Sequence, residues 1–248
     1  MPDVFLSPST QEYNPYVGGG NEEYYMNILT DALIPYLDSA GISYGRNDTS
    51  GSFLDSVRRS NADNYTLHLA LHSNASPPQS AGSARGSQIY YFPNSSEGKR
   101  AADIFADAIR RVYPDPSKVS TVPTTTLGEI VRTKAPAILI EVAYHDNPDD
   151  AEWIRDNIDE LAQALAQGIA EFLGRGENMP DIVRYGTVVT DGSNLNLRTE
   201  PSVNSTVRAR IPNGTRLPLY GSSGSWYRTE YNGLRGYVSG EYIRADTQ

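Results

Sequence analysis

The sequence predicts an α/β layer structure, a mainly parallel sheet flanked by helices, over residues 1–174. A small all-β barrel over residues 184–248 follows, joined to it by a linker at 175–183. Three observations lead there. Short apolar runs alternate with helical patterns through the first part of the chain, the grammar of helices packed on a mostly parallel sheet. Helical periodicity then stops, and Gly174-Arg175-Gly176-Glu177-Asn178-Met179-Pro180 reads as a connector, with two Gly, one Pro and no repeat. Beyond it, short alternating runs are separated by Asp191-Gly192, Asn213-Gly214, Ser223-Gly224 and Asn232-Gly233, the turn chemistry of an all-β unit.

The elements follow in order. Val4-Phe5-Leu6, Leu67 to Leu71, Gln88 to Phe92 and Ala137 to Val142 are short apolar runs bounded by Pro, Ser, Asn or Gly and read as strands. Ile28, Leu29, Ala32, Leu33, Tyr36 and Leu37 recur at helical spacing before Ser39-Ala40-Gly41 stops the pattern. A second helix carries Ala101, Ala102, Phe105, Ala108 and Ile109. A third opens at Asn147-Pro148-Asp149, an Asn cap with Pro in the first turn, and runs through Ile154, Ile158, Leu161, Leu165, Ile169 and Phe172.

Composition narrows the chemistry. The 248 residues include no cysteine, which excludes thiol catalysis, thiolate metal sites and disulfides. A transition metal would have to be held by His, Asp, Glu or weaker oxygen donors, and the only histidines are His68, His72 and His145. Net charge of −9 argues against nucleic acid, whose phosphates demand clustered Lys and Arg. The charge is uneven: residues 184–248 hold eight Arg against five acidic residues, on an otherwise acidic chain, which suggests that this end meets an anionic surface. No apolar run reaches the roughly 20 residues of a membrane span, so no membrane insertion is expected. The start, Met1-Pro2-Asp3-Val4, lacks the basic and apolar segments of a signal peptide.

Two segments carry candidate chemistry. In Tyr65-Thr66-Leu67-His68-Leu69-Ala70-Leu71-His72-Ser73-Asn74-Ala75, residues of one parity share a face, so His68, Ala70 and His72 point the same way. His72 sits where the run turns polar, at the strand's C-terminal end, where open α/β sheets place ligands. His68 lies about 13 Å back along the strand and cannot share a metal with it, so it reads as a packed residue. In Ala135-Pro136-Ala137-Ile138-Leu139-Ile140-Glu141-Val142-Ala143-Tyr144-His145-Asp146-Asn147, an apolar strand delivers one carboxylate. A buried carboxylate needs a cation, a hydrogen-bond network or a raised pKa. Glu141 is therefore a general-base candidate, against the simpler alternative of a salt bridge to Arg132 or Lys134.

These segments resemble known families. Leu195 to Ser202 is similar to the "LNVRSGPS" strand-turn of bacterial SH3 domains. Ile211 to Thr215 resembles their "L-x-x-G-T" hairpin, and Ser225-Trp226-Tyr227 with Asn232 to Ser239 resembles their closing motif. The resemblance implies a module that targets peptidoglycan, with Trp226 and Tyr227 as stacking surface for substrate. "LHSNA" resembles the "S-x-H-x-N-A" strand of the zinc-dependent N-acetylmuramoyl-L-alanine amidases (the amidase_3 family), and "ILIEVAYHDN" is similar to their "PAVLVE-x-GFLSN" segment. Asn21 to Asn27 resembles the "E-K-x-x-N" entry to their first helix.

The resemblance implies an α/β fold and a peptidoglycan hydrolase of the cell wall or extracellular space. It would cleave the amide joining the MurNAc lactyl group to L-Ala, as a monomer with zinc as cofactor. Carried over by position, Glu23 and His72 are zinc ligands, Glu141 is the catalytic acid/base and Asn74 positions substrate. The family's "D-P-G-H-G-G" falls on Ser7-Pro8-Ser9-Thr10-Gln11-Glu12, so its first zinc histidine becomes Thr10. Gln11, Glu12 or His145 would then complete the site, with Gln11 the residue assigned here; alternatively, zinc binds more weakly. The rival reading is a non-catalytic wall-binding protein on the same fold. A Ser esterase is disfavoured by the absence of a G-x-S-x-G elbow.

Overall fold

The computed structural model describes residues 2–176 and 184–246. The chain divides into two compact units between Pro180 and Asp181. Most of the expected linker lies outside the described residues. No described helix is long and apolar enough to cross a membrane.

In the first unit the elements run β1 (Val4–Pro8), α1 (Glu22–Ser39), β2 (Tyr44–Arg46), α2 (Phe53–Ala62), β3 (Leu67–Asn74) and β4 (Ser87–Tyr91). They continue with α3 (Ser96–Arg110), β5 (Val119–Pro123), α4 (Gly128–Arg132), β6 (Ala137–Tyr144), α5 (Pro148–Asp156) and α6 (Ile158–Phe172). The sheet order is β2-β1-β3-β6-β4-β5. All neighbours are parallel except β4 and β6, so the mainly parallel sheet expected from the sequence is what forms.

Local chemistry explains the boundaries. The Asn21 side chain accepts the Tyr24 N–H and starts α1. Ser52 and Asp55 form a reciprocal capping box on α2. Asn147 accepts the Asp149 and Asp150 N–H groups ahead of α5, with Pro148 in the first turn as the sequence suggested. The single helix expected over 148–172 is two. Asn157 leaves helical geometry at φ −123°, ψ 24°, and its side chain donates to the Trp153 carbonyl at 2.8 Å. A short amide side chain that bonds nearby backbone competes with the helix, and here it breaks it. The five-residue α4 and the edge strands β2 and β5 are too short to show a period in the sequence, and the ten-residue α2 is not among the expected helices.

Strand alternation divides this sheet into two unlike faces. Val4, Leu6, Leu67, Leu69, Leu71, Ile89, Ile138, Ile140 and Val142 lie on one and are completely buried. The register places Phe5 beside His68, Ser7 beside Ala70, His68 beside Ala137, Ala70 beside Leu139, and His72 beside Glu141 on the other. That second face has a small apolar patch of Ala70, Ala137 and Leu139 under Ile130 of α4. Ser7, His68, His72, Gln88 and Glu141 make the rest of this region polar, with Phe5 beside His68.

The second unit is all β: β7 (Arg184–Val188), β8 (Leu195–Arg198), β9 (Val207–Ile211), β10 (Arg216–Ser223), β11 (Trp226–Tyr231), β12 (Leu234–Ser239) and β13 (Ile243–Ala245), in the order β13-β7-β10-β11-β12-β8-β9. All its pairings are antiparallel. Val188, Leu195, Leu197, Ile211, Leu217, Leu219 and Val238 form its core. The β11–β12 hairpin turns on Asn232 at φ +52° and Gly233 at φ +76°, the left-handed pair that a tight type I′ turn requires.

Candidate functional site

The site forms at the C-terminal ends of β1, β3 and β6, on the polar face of the sheet. In-register pairing of parallel β3 and β6 sets His72 beside Glu141, and antiparallel β4 sets Gln88 on the other side of Glu141. One row of three side chains, His72-Glu141-Gln88, therefore crosses three strands.

The acid that meets His72 is Glu22, not Glu23. Glu22 is 1% exposed, and its Oε1 accepts a hydrogen bond from His72 Nδ1 at 2.8 Å, while its Oε2 accepts one from Asn14 Nδ2 at 2.6 Å. Each helical residue turns the side chain by about 100°. The one-residue step therefore carries Glu23 out of the site, where its backbone carbonyl accepts from Asn27. The motif located the right turn of helix but could not resolve which of two adjacent acids faces inward.

Gln11 does reach the site. Its Nε2 lies 3.3 Å from His72 Nδ1 and 3.5 Å from Glu22 Oε1. Asn14 Nδ2 donates to Gln11 Oε1 at 3.1 Å, so the amide turns its nitrogen toward the pair. Thr10 borders the neighbouring cavity. The other two candidates for a third ligand are elsewhere. Glu12 is exposed. His145 is buried, stacked on Tyr16 at 5.3 Å, with Nδ1 donating to the Ser73 carbonyl at 2.9 Å. Asn74 is also committed: its Nδ2 donates to Gln88 Oε1 at 3.0 Å, an oxygen that also accepts from Tyr90.

Two participants had no sequence signal. Glu129, on the five-residue α4, is 5% exposed; its Oε2 accepts from Ser7 Oγ at 2.6 Å and from His68 Nε2 at 2.8 Å. Its Oε1 faces His72 Nε2 at 3.5 Å. His68, expected to be only packed, joins this network and is anchored by Ser60 Oγ at 3.0 Å. A helix this short has no periodicity to expose an inward acid, and His68 signals nothing until α4 is folded over it.

The electrostatics follow from this crowding. Burial pushes the Glu141 carboxyl up to about 7; the charge of His72 opposes the rise and that of Glu22 adds to it. Its Oε2 is buried and has no hydrogen-bond partner. Burial would also raise Glu22, but the hydrogen bonds from His72 and Asn14 and the His72 charge outweigh it and hold this acid below its usual range. Glu129 is likewise raised by burial and brought down, to about 2, by His68 and His72. Burial opposes charge on His72, yet Glu129, Glu22 and Glu141 together push it well above the ordinary histidine value. The result is one acid poised to exchange a proton near neutral pH beside two that stay ionised.

The donor set can be tested against zinc. Ligands about 2.1 Å from a tetrahedral ion lie roughly 3.4 Å apart. Glu22 Oε1, His72 Nδ1 and the Gln11 amide end are 2.8, 3.3 and 3.5 Å from one another, a triangle of the right size. Two corners are strong donors. The third presents an amide nitrogen, which cannot ligate; a weak oxygen donor would stand there only if the amide turned over and gave up its bond to Asn14. Among the described residues no group of three His, Cys, Asp or Glu is placed to hold a metal. The set as it stands offers two zinc donors, Glu22 and His72, beside one amide.

A cavity of about 440 Å³ opens beside His72 and Glu129, walled by Pro8, Phe53, Leu127 and Leu139. In the second unit, a cavity of about 470 Å³ is lined by Asp191, Arg198, Trp226, Glu241 and Tyr242. Trp226 therefore borders open space, whereas Tyr227, its neighbour on the opposite side of the strand, packs against the core. Of the expected pair of stacking residues, Trp226 lines the cavity and Tyr227 is half-buried against the core.

Comparison with known proteins gives consistent results. A family model described as N-acetylmuramoyl-L-alanine amidase matches residues 10–171, and one described as bacterial SH3 domain matches residues 193–244. An endolysin of Bacillus phage SPP1 is 26% identical over 132 residues, a match spanning 51% of this chain and 47% of that protein. Among solved structures, the N-acetylmuramoyl-L-alanine amidase AmiC2 of Nostoc punctiforme superimposes with a TM-score of 0.62 at 18% identity, covering 70% of this chain and 98% of that one. The amidase from Clostridium difficile 630 gives 0.62 at 19% identity, covering 70% and 97%. At such identities these two likenesses speak for the fold.

Proposed function

The chain belongs to the N-acetylmuramoyl-L-alanine amidase family, and on that premise we propose that it is a peptidoglycan hydrolase cleaving the amide between the MurNAc lactyl group and L-Ala. The observation that carries this reading is the pairing of Glu141 with His72. A buried carboxyl with a free oxygen and a pKa raised to about 7 lies in register with an imidazole bracketed by two ionised acids.

In the reaction, Glu141 takes the proton of the attacking water as general base and delivers it to the L-Ala nitrogen as the amide breaks. A group titrating near neutrality does both without a large penalty in either direction. Glu22 and His72, with the Gln11 oxygen turned inward, would hold zinc, whose Lewis acidity polarises a carbonyl and acidifies water. Asn14 fixes the second oxygen of Glu22, which keeps the first aimed at His72. Gln88 and Asn74 form the polar floor beside Glu141 against which the amide is positioned. The cavity walled by Phe53, Leu127 and Leu139 opens beside His72 and Gln11 and offers room for part of the substrate.

The bacterial SH3 domain would hold the enzyme on the wall, with Trp226 offering an aromatic face, and the site of action would be the cell wall or extracellular space. Purified protein supplied with zinc and peptidoglycan should release new L-Ala amino termini, and Glu141→Gln should abolish them; full activity in that variant would refute the assignment. The competing reading, a non-catalytic wall-binding protein, draws on Thr10 and on the inward-facing Gln11 nitrogen. Wall binding without zinc uptake or amino-terminus release would establish it instead.

A further inference from the structure

We propose that Glu129 is a positioning residue for His72, holding the imidazole from its Nε2 edge so that Nδ1 is presented to Glu22 and to the site beyond it. The two nitrogens of an imidazole face opposite ways, so a single ion engages one of them and leaves the other to a partner. Histidines that bind metals commonly give that second N–H to a carboxylate, which fixes the ring and raises its basicity. Here Nδ1 is turned to Glu22, and Nε2 is buried with Glu129 Oε1 facing it at 3.5 Å. A ring movement of about half an ångström makes that contact a full hydrogen bond.

Glu129 is itself held for the task. Its Oε2 takes both Ser7 Oγ and His68 Nε2, which leaves Oε1 aimed at His72. A His68 carrying its proton on Nε2 donates to Glu129 and accepts from Ser60 Oγ, so Ser60-His68-Glu129 and His72-Glu22-Asn14 form two hydrogen-bonded runs that meet at the 3.5 Å step between Glu129 and His72. A carboxylate needed only to satisfy His68 and Ser7 would require one oxygen. Its second oxygen faces His72, and the residue borders the cavity beside it. The part of this inference that concerns zinc rests on the hydrolase reading; the part that concerns the ring does not.

The test uses the full chain labelled with 15N-histidine, a simple spectrum because there are three histidines. Glu129→Gln preserves size and removes the charge. In metal-free protein it should move the His72 ring nitrogen signals, and in titrations against a competing chelator it should weaken zinc binding by about 10- to 100-fold, with unchanged circular dichroism. Glu129→Asp should recover part of both effects. A folded Glu129→Gln protein whose His72 signals stay in place overturns the proposal. Should Glu129→Gln fail to fold, Ser7→Ala keeps the carboxylate but loosens it; unmoved His72 signals there overturn the proposal equally. A wild-type chain that takes up no zinc would count against the hydrolase reading, while the metal-free His72 signals would still decide the role of Glu129.

Discussion

The two faces of the six-stranded sheet are made by the same strands and serve opposite ends. On one, Val4, Leu6, Leu69, Leu71, Ile138, Ile140 and Val142 are wholly buried, and the long helices α1, α3 and α6 supply apolar partners such as Leu33, Phe105 and Leu165. On the other, a ten-residue and a five-residue helix, α2 and α4, give partial cover over Ser7, His68, His72 and Glu141. The apolar face gains stability with each side chain removed from water. Each polar group on the second face must instead find a partner inside the protein or lose stability. Ser60, Ser7 and Asn14 supply partners for His68, Glu129 and Glu22, while Glu141 Oε2 and His72 Nε2 are buried with no hydrogen-bond partner among the described residues. Two of the buried polar atoms left without a partner therefore fall at the point where the chemistry is proposed, as expected where function overrides local consistency.

Substitutions on the two faces should therefore separate cleanly. The largest effect is expected from Glu141→Gln, which should lower the release of L-Ala amino termini by about a thousandfold or more, within the range for loss of a general acid/base, while the urea midpoint stays the same or rises. Next comes Leu69→Ala on the apolar face. It should cost about 2–5 kcal/mol in urea unfolding and leave kcat of the folded fraction unchanged. Equal loss of activity and stability in both variants would erase the distinction.

A third measurement sharpens it. The Glu141 pKa is raised from 4.5 to about 7, so the folded state binds its proton more tightly than the unfolded state does. The stability this contributes is full below the unfolded value and is lost as pH climbs through 7. In metal-free protein the difference between wild type and Glu141→Gln should therefore change by about 3 kcal/mol between pH 4 and 8, with the wild type losing ground. A flat difference would mean that Glu141 is solvated. The smallest effect should follow Asn14→Ala, which strips one hydrogen bond from Glu22 and one from Gln11. A decrease of about tenfold in kcat/KM fits the loss of a hydrogen bond to a charged group.

Much of this was legible in the chain. The alternation of strands and helices, the Asn147-Pro148 cap and the Asn232-Gly233 hairpin depend on neighbours a few residues apart, and all three appear as expected. His72 and Glu141 could also be singled out, because a polar residue within an apolar strand stands out against its own neighbours. Glu22 was missed by one residue because the two acids are chemically alike and only the helix phase tells them apart.

Glu129, His68 and the turn of Gln11 were decided by the tertiary structure alone. Glu129 meets Ser7 across 122 residues and His68 across 61, and although Asn14 is only three residues from Gln11, it is fixed by its other hydrogen bond, to Glu22 on α1. Strand and helix periods report which way a side chain points, and they made the sheet, its apolar face and the positions of His72 and Glu141 readable from the chain. Which carboxylate lies within hydrogen-bonding distance of which ring nitrogen depends on how α1 and α4 dock on that sheet. That docking is a sum over many packed contacts, and no local stretch of sequence contains it.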